Sequence, residues 1–388
     1  MGARILLLVT LSLSLAGLTS CEPAGNTSEK KRTFDRKYDL TARLIAGMKV
    51  PEYSDLSSLN ANSRYVTYGN SINRGWKGFF GPNMEKIRQW RKKHDRGSKY
   101  EKIFYPFSGP DVLHPLLFYP EAREIVMFGL EPTRGVPDVT GKKPEEVLPL
   151  LAGVKPAINF TLDHAFFVTR DMQKKVGRNS FSGITGIMMF FLARGGYRVL
   201  DVKQVHLDET GRLEHGEIRD KKKVRVQVPG VEIRFRRGRA GKILTARYFQ
   251  LDIGDGSRRL PAFLAYLEEY APFASIVKSA SYLMHMDQFS RIRKAFLGHS
   301  RFLIQDDSGV PYSVLEKGDW NLYFYGKYHK PLPVFHYRYQ ADLKKAVEKN
   351  SQGPVPFVYG YGYGYPNMTY HLVMARKEKE DTTGQERK

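Results

Sequence analysis

Cysteine occurs once in 388 residues, at Cys21. A single thiol forms no intrachain disulfide, supplies no thiolate metal cluster and leaves no catalytic cysteine elsewhere in the chain. The ten histidines show no His-Glu-x-x-His spacing, and His285/Asp287 and His215/Glu217 are isolated pairs. The run of glycines expected of a dinucleotide-binding turn is missing. No internal repeat of roughly 20 to 50 residues marks a solenoid. Beyond residue 18 no apolar run reaches the roughly 20 residues of a membrane-spanning helix. Acidic residues are outnumbered, 40 against 62 basic ones, for a net charge of +22. What remains is a long chain, 41% apolar, that must be held by its core. Its length allows one large or two modest domains.

The opening "MGARILLLVTLSLSLAGLTSC" has one early cation, Arg4, and then an apolar or small run over residues 5–18. This is the n-region and h-region of a secretory signal peptide. Its end, Leu18-Thr19-Ser20-Cys21, resembles the lipobox of bacterial lipoproteins. That resemblance implies cleavage before Cys21, a diacylglycerol on its thiol and a further acyl chain, palmitate-like, on its amine. Several acyl chains on one residue give stable anchoring. Residues 1–20 are then a lipoprotein signal peptide and 21–35 a flexible tether. Residues 36–375 form an α/β domain, single or in two closely packed lobes, and 376–388 a disordered charged tail. The implied location is the cell envelope, lipid-anchored on the extracytoplasmic side. Glu22, rather than Asp, after the cysteine resembles the pattern of outer-membrane sorting.

The basic residues cluster at 30–32, 88–93, 221–225, 234–239 and 291–294. Charge of this kind governs association, not fold. Outside the cytoplasm the partners it fits are anionic lipid, lipopolysaccharide or a wall polymer, and no nucleic acid is expected. Arg234, Arg236, Arg237 and Arg239 form the densest candidate surface. A solvated basic face is the bland alternative.

Between tether and tail the apolar pattern alternates in period. Met84, Ile87 and Trp90 among basic neighbours read as a basic amphipathic helix. Residues 103–105 and 125–130 read as strands flanking a short apolar segment. Residues 157–172 and 183–194 read as helices. Strand character returns after Gly196 and continues at 212–219, 223–236 and 243–252, closely enough spaced for antiparallel pairing. Helices follow at 260–270 and 287–297, with strands at 301–305 and 320–326. The expected fold is a Rossmann-like mixed α/β sheet, parallel in its first half, with an antiparallel excursion around 200–252.

The stretch "KIFYPFSGPDVLHPLLFYPEAREIVMFGLEP", 102–132, has the outline of a nucleotide site. A strand runs into the turn Ser108-Gly109-Pro110, and Glu131 ends the second strand, where an acid would bond a ribose. "YPFSG" resembles the "DPF-x-G" turn of amino-methyltransferases that use S-adenosylmethionine. Tyr105 replaces that family's acid, however, and Pro110 removes an N–H where one is useful. The unit is therefore read as scaffold, with no cofactor. Together with "SASYLMH" at 279–285 and "FLIQDDSGVPY" at 302–312, these phrases resemble a group of uncharacterised exported bacterial lipoproteins, over about 100–375. No catalytic residue follows from that likeness.

Other chemical signals are weak. Ser275-x-x-Lys278 matches the Ser-x-x-Lys pattern of penicillin-binding enzymes without its downstream Lys-Thr-Gly. "GHSRF" at 298–302 is half a nucleophile elbow. Asp306-Asp307 directly follow an apolar strand, where α/β sheets place functional groups; the bland alternative is an acidic turn. "YGYGYGYP", 359–366, puts four tyrosines on one face if extended, fit for stacking on sugars or head groups, or else a loop packed on the domain. Ser108, Gly109, Asp111, Glu131, Asp306 and Asp307 form the candidate pocket. The expected function is an envelope protein that binds an anionic or saccharide component. The alternatives are an envelope hydrolase or transferase using Asp306/Asp307 near the 104–111 turn, or a degenerate methyltransferase-like domain.

Overall fold

The computed structural model describes residues 36–97, 99–163, 183–218, 224–238, 240–361 and 370–377. Cys21, the signal and tether, Arg239, Tyr363, Tyr365 and the charged tail beyond Lys377 lie outside the described residues; Arg376 and Lys377, expected in that tail, instead end a strand over His371–Lys377. The chain divides into two units, Met1–Phe34 and Asp35–Lys388, and the sheet and its helices belong to the second.

Ten strands form one mixed sheet in the order β4-β3-β5-β6-β2-β1-β7-β8-β10-β9. They are β1 (Lys102–Tyr105), β2 (Glu124–Gly129), β3 (Tyr197–Leu207), β4 (Leu213–His215), β5 (Val228–Arg237), β6 (Ile243–Gln250), β7 (Phe273–Val277), β8 (Ser300–Gln305), β9 (Trp320–Gly326) and β10 (His371–Lys377). The central block β6-β2-β1-β7-β8 is parallel. Its order is that of a doubly wound sheet, which reverses direction between β1 and β7. Strands β3 to β6 make the antiparallel excursion. At the other edge β10 runs antiparallel between β8 and β9.

Side-chain alternation explains why both faces are covered. Ile103 and Tyr105, Ile125 and Met127, Ala274 and Ile276, and Phe302 and Ile304 enter one core. Phe104, Val126, Phe128, Val277 and Leu303 enter the other. Strands buried on both faces read as continuous apolar runs, as parallel strands should. The first core is closed by α1 (Arg36–Ile45), α2 (Ser63–Gly75), α3 (Gly81–Lys93), α4 (Leu113–Phe118), α5 (Pro144–Asp163) and α6 (Thr185–Arg194). The second is closed by α7 (Leu260–Tyr270) and α8 (Ser290–His299). Two further helices, α9 (Tyr312–Glu316) and α10 (Ala341–Asn350), lie beside β9.

Helix α5 starts well before the expected 157. Pro149 and Pro156 sit inside it, and interior proline, which removes a backbone donor, hides a helix from a propensity reading. Residues 164–172 lie outside the described residues. Helix α6 is buried all round, which explains its unbroken apolar sequence. Among the described residues no helix is long and apolar enough to cross a membrane.

Candidate functional site

In doubly wound sheets ligands bind beyond the carboxyl ends of the strands, at the point where strand order reverses. Here that point lies between β1 and β7. The loop after β1 turns sharply, with Phe107 at φ 58° and Gly109 at φ 53°. The left-handed region is open to glycine, which explains Gly109; a bulky residue there is strained. The loop after β7 holds three more such residues, Ser279, Ser281 and Tyr282, at φ 52–55°. These three and Phe107 are all the described non-glycine residues with positive φ. Strain is thus confined to the two loops that flank the reversal point.

Asp111 closes the first loop and is 2% exposed. It accepts a hydrogen bond from the Tyr105 hydroxyl at 3.0 Å and from the His114 backbone N–H at 3.3 Å. The His114 Nδ1 lies 2.8 Å from Oδ1, and Lys278 Nζ lies 3.2 Å from Oδ2. Burial alone would raise the Asp111 pKa, but the positive charges and His114 hydrogen bonds outweigh it and hold the carboxyl well below the usual range. Burial also lowers the His114 pKa. A neutral His114 then carries its proton on Nδ1, since Nε2 is buried with no hydrogen-bond partner among the described residues. Lys278 is the other cationic group against this carboxylate.

Asp306 and Asp307 follow β8 and are also buried. The Asp306 carboxylate accepts from Ser279 N at 2.9 Å, Ser308 N at 3.0 Å and Ser308 Oγ at 2.5 Å. Asp307 accepts from the Tyr282 hydroxyl, and His371 Nε2 stands 3.5 Å from its other oxygen. Burial raises both pKa values to about 6, and for Asp306 the Asp307 charge adds to the rise. Burial lowers His371 to about 4, so His371 is neutral at pH 7 and does not balance this pair.

The crevice between these loops is filled by the chain itself. The Tyr359 hydroxyl donates towards the Val277 and Ile304 carbonyls at 3.3 and 3.4 Å, spanning the ends of β7 and β8. Gly360, at φ 71°, lies so close to Asp306 that a Cβ would stand 2.3 Å from its Oδ2. Tyr361 donates its hydroxyl to the Ser279 carbonyl at 2.7 Å and accepts from Ser281 N at 2.9 Å. Successive N–H groups at 279, 280 and 281 make a concavity of the kind that binds anions. Here Asp306, the Ser308 hydroxyl and Tyr361 occupy it. The period-two tyrosine row is therefore not extended at its described end. The left-handed turn at Gly360 sends Tyr359 into the core against Phe118 and Phe357 and Tyr361 onto Phe335.

The remaining sequence candidates serve local contacts. Ser108 is buried in the first loop, its hydroxyl donating to the Gly109 carbonyl at 3.0 Å. Glu131 stands beyond β2, held by the Tyr248 hydroxyl at 2.7 Å. Its Oε1 has no partner among the described residues. Ser275 bonds Ser300 Oγ at 2.7 Å, whereas Lys278 pairs with Asp111, so the Ser-x-x-Lys pair serves two separate structural contacts. Strand alternation puts Arg234 and Arg236 on one face of β5 and Arg237 on the other, where it lies over the Tyr197 ring. The reversal point thus brings Ser108, Gly109, Asp111, Asp306 and Asp307 to one end of the sheet, with Glu131 set apart beside β6.

Comparison with family models, curated proteins and solved structures found no match to this chain. The motifs that contain Lys278, Tyr282 and Tyr359 did not indicate the contacts these residues make, and His371 lies in none. Lys278 and Tyr282 follow β7 and His371 opens β10, so only the strand boundaries could have pointed to the same sheet end. Among the described residues no group of three or more His, Cys, Asp or Glu is arranged to hold a metal ion.

Proposed function

We propose that this chain is a lipid-anchored extracytoplasmic protein that binds an anionic or saccharide component of the cell envelope, using a doubly wound sheet as scaffold. The observation that carries the reading is the filled crevice. Tyr359, Gly360 and Tyr361 occupy the reversal point, and Asp111, Asp306 and Asp307 spend their oxygens on protein donors. Binding then falls to the outer surface, where the net charge of +22 favours anionic partners. Attachment is assigned to acylated Cys21.

The test is a titration of the full chain with S-adenosylmethionine, NAD, anionic vesicles and anionic polysaccharide. Salt-sensitive binding to vesicles or polysaccharide alone supports the proposal, because exposed charges are screened beyond about 10 Å at 0.1 M salt. Micromolar binding of either nucleotide, abolished by Glu131→Gln, would sink it and restore the methyltransferase-like alternative. Cys21→Ser must also release the protein from the membrane fraction or stall its processing.

One observation favours a second reading. The Asp306–Asp307 pair, raised to about 6, lies in the range useful to a general base. A hydrolase or transferase built on it requires Tyr361 to leave. Activity on an envelope ester or glycan, lost in Asp307→Asn, would establish it.

A further inference from the structure

We propose that residues 327–339, which follow β9, form a docking surface for an anionic lipid bilayer. The proposal rests on the anionic-partner reading and names the face that carries it. Three of the eight exposed large apolar side chains of the described chain fall here, Val334 at 68%, Tyr337 at 64% and Tyr339 at 46% exposed. Exposed apolar residues standing singly are ordinary, whereas a cluster marks an interaction site.

Charge is equally one-sided. Between Asp319 and Asp342 the sequence has Lys327, His329, Lys330, His336 and Arg338, and no carboxylate. Asp342 itself lies 3.9 Å from Lys345. Arg338 sits over the Tyr337 ring at 5.0 Å. His329, Lys330, Pro331, Pro333, His336 and Tyr339 line a cleft of about 670 Å³. A cleft lined by one lysine and two imidazoles, with no acid, suits the phosphate of a lipid head group. Rings with polar tips, an exposed aliphatic side chain and clustered cations are the composition that settles at a bilayer interface. A partner recognised by charge alone would leave Val334 unburied.

The surface is held ready. Beneath it Phe335 packs against Tyr282 at 5.1 Å and Tyr361 at 5.5 Å between ring centroids. Tyr339 stacks on Tyr328 at 6.1 Å. Gln340 donates to the Asp307 carbonyl at 3.0 Å and accepts from Tyr312 N at 2.8 Å. A preformed surface loses little conformational freedom on docking.

The experiment is co-sedimentation of residues 22–388, which lack both the apolar signal and the acylated Cys21, with phosphatidylcholine vesicles with and without phosphatidylglycerol. Binding to the anionic vesicles alone is expected. Lys330→Ala with Arg338→Ala should weaken it by about tenfold, and Val334→Ser with Tyr337→Ser by about tenfold. Circular dichroism should show both variants folded, and soluble glycerol phosphate should not compete. Wild-type binding by either double variant overturns the proposal, as does equal binding to neutral vesicles or displacement by glycerol phosphate. Loss confined to Arg234→Ala with Arg236→Ala overturns this surface but keeps the anionic-partner reading. Polysaccharide binding lost in Tyr337→Ser, with none to vesicles, overturns the lipid assignment alone. No binding to vesicles or polysaccharide overturns both.

Discussion

Asp111 and the Asp306–Asp307 pair stand on opposite sides of the same crevice, at 2%, 1% and 8% exposure. Burial works against the charged form of each, yet their pKa values move in opposite directions. The difference lies in the neighbours. Asp111 has Lys278 at 3.2 Å and the His114 ring at 2.8 Å. Asp306 and Asp307 have each other, hydroxyls, backbone donors and a neutralised His371. Three carboxylates at one sheet end are thus not one chemical feature. One is a locked ion pair tying the β1 turn to β7, and the other two are a charge-poor pair whose ionisation the fold resists.

The hardest blow to this contrast is removal of the cation. Lys278→Met leaves the buried Asp111 with only His114 and Tyr105 as side-chain partners and should cost about 3 kcal/mol in urea unfolding. Adding Asp111→Asn should recover much of it, and a single variant within about 1 kcal/mol of wild type would break the ion-pair account. On the other flank, Gly360→Val must move Asp306 or abandon a left-handed turn. It should cost about 1–3 kcal/mol and speed hydrogen exchange at the 279–281 amides. The same cost is expected at Gly109→Val for its φ of 53°, with exchange at 279–281 unchanged.

The two flanks should also separate by pH. A carboxyl with a folded pKa near 6 and an unfolded one near 3.9 is bound more tightly by protons in the folded state. Its contribution to stability is greatest below about pH 4 and declines as pH rises through 6. Asp111, with its pKa lowered, contributes fully above about pH 4 and loses that contribution as pH falls. His371, depressed to about 4, also loses stabilising influence as pH falls from about 6.5, so the flanks must be read by difference. Wild type minus Asp306→Asn should fall by on the order of 2 kcal/mol between pH 4 and pH 7, and wild type minus Asp111→Asn should not. Matching slopes would remove the contrast. The smallest effect is expected at Glu131→Gln, which keeps an acceptor for Tyr248 and should change stability by less than about 1 kcal/mol.

The parts of the fold legible in the sequence were those carried by local period. Strands β1 and β2, helix α3 and the close-spaced β3 to β6 follow from alternation and short connections, and with them the mixed sheet. Strand β10 is not announced by its sequence, because one apolar stretch before a charged tail reads equally as a loop packed on the core. The site was legible only as positions at strand ends. Asp111 and Lys278, like Asp306 and Ser279, come from different strands, and which acid receives the cation depends on the order of strands in the sheet. The tyrosine–glycine alternation misled because period two describes side chains only while the backbone stays extended, and Gly360 turns.

The place of β10 has a consequence for how the chain is made. It is the last described strand in chain order, yet it separates β8 from β9 and satisfies the backbone groups of both. Until residues 371–377 arrive, β9 has no neighbour through which to join the sheet and β8 presents an unpaired edge. Folding of this half therefore waits on residues 371–377, and without them the sheet stays open on that side. Such an edge invites pairing with other chains, so the interval before β10 docks between β8 and β9 is the vulnerable one in folding.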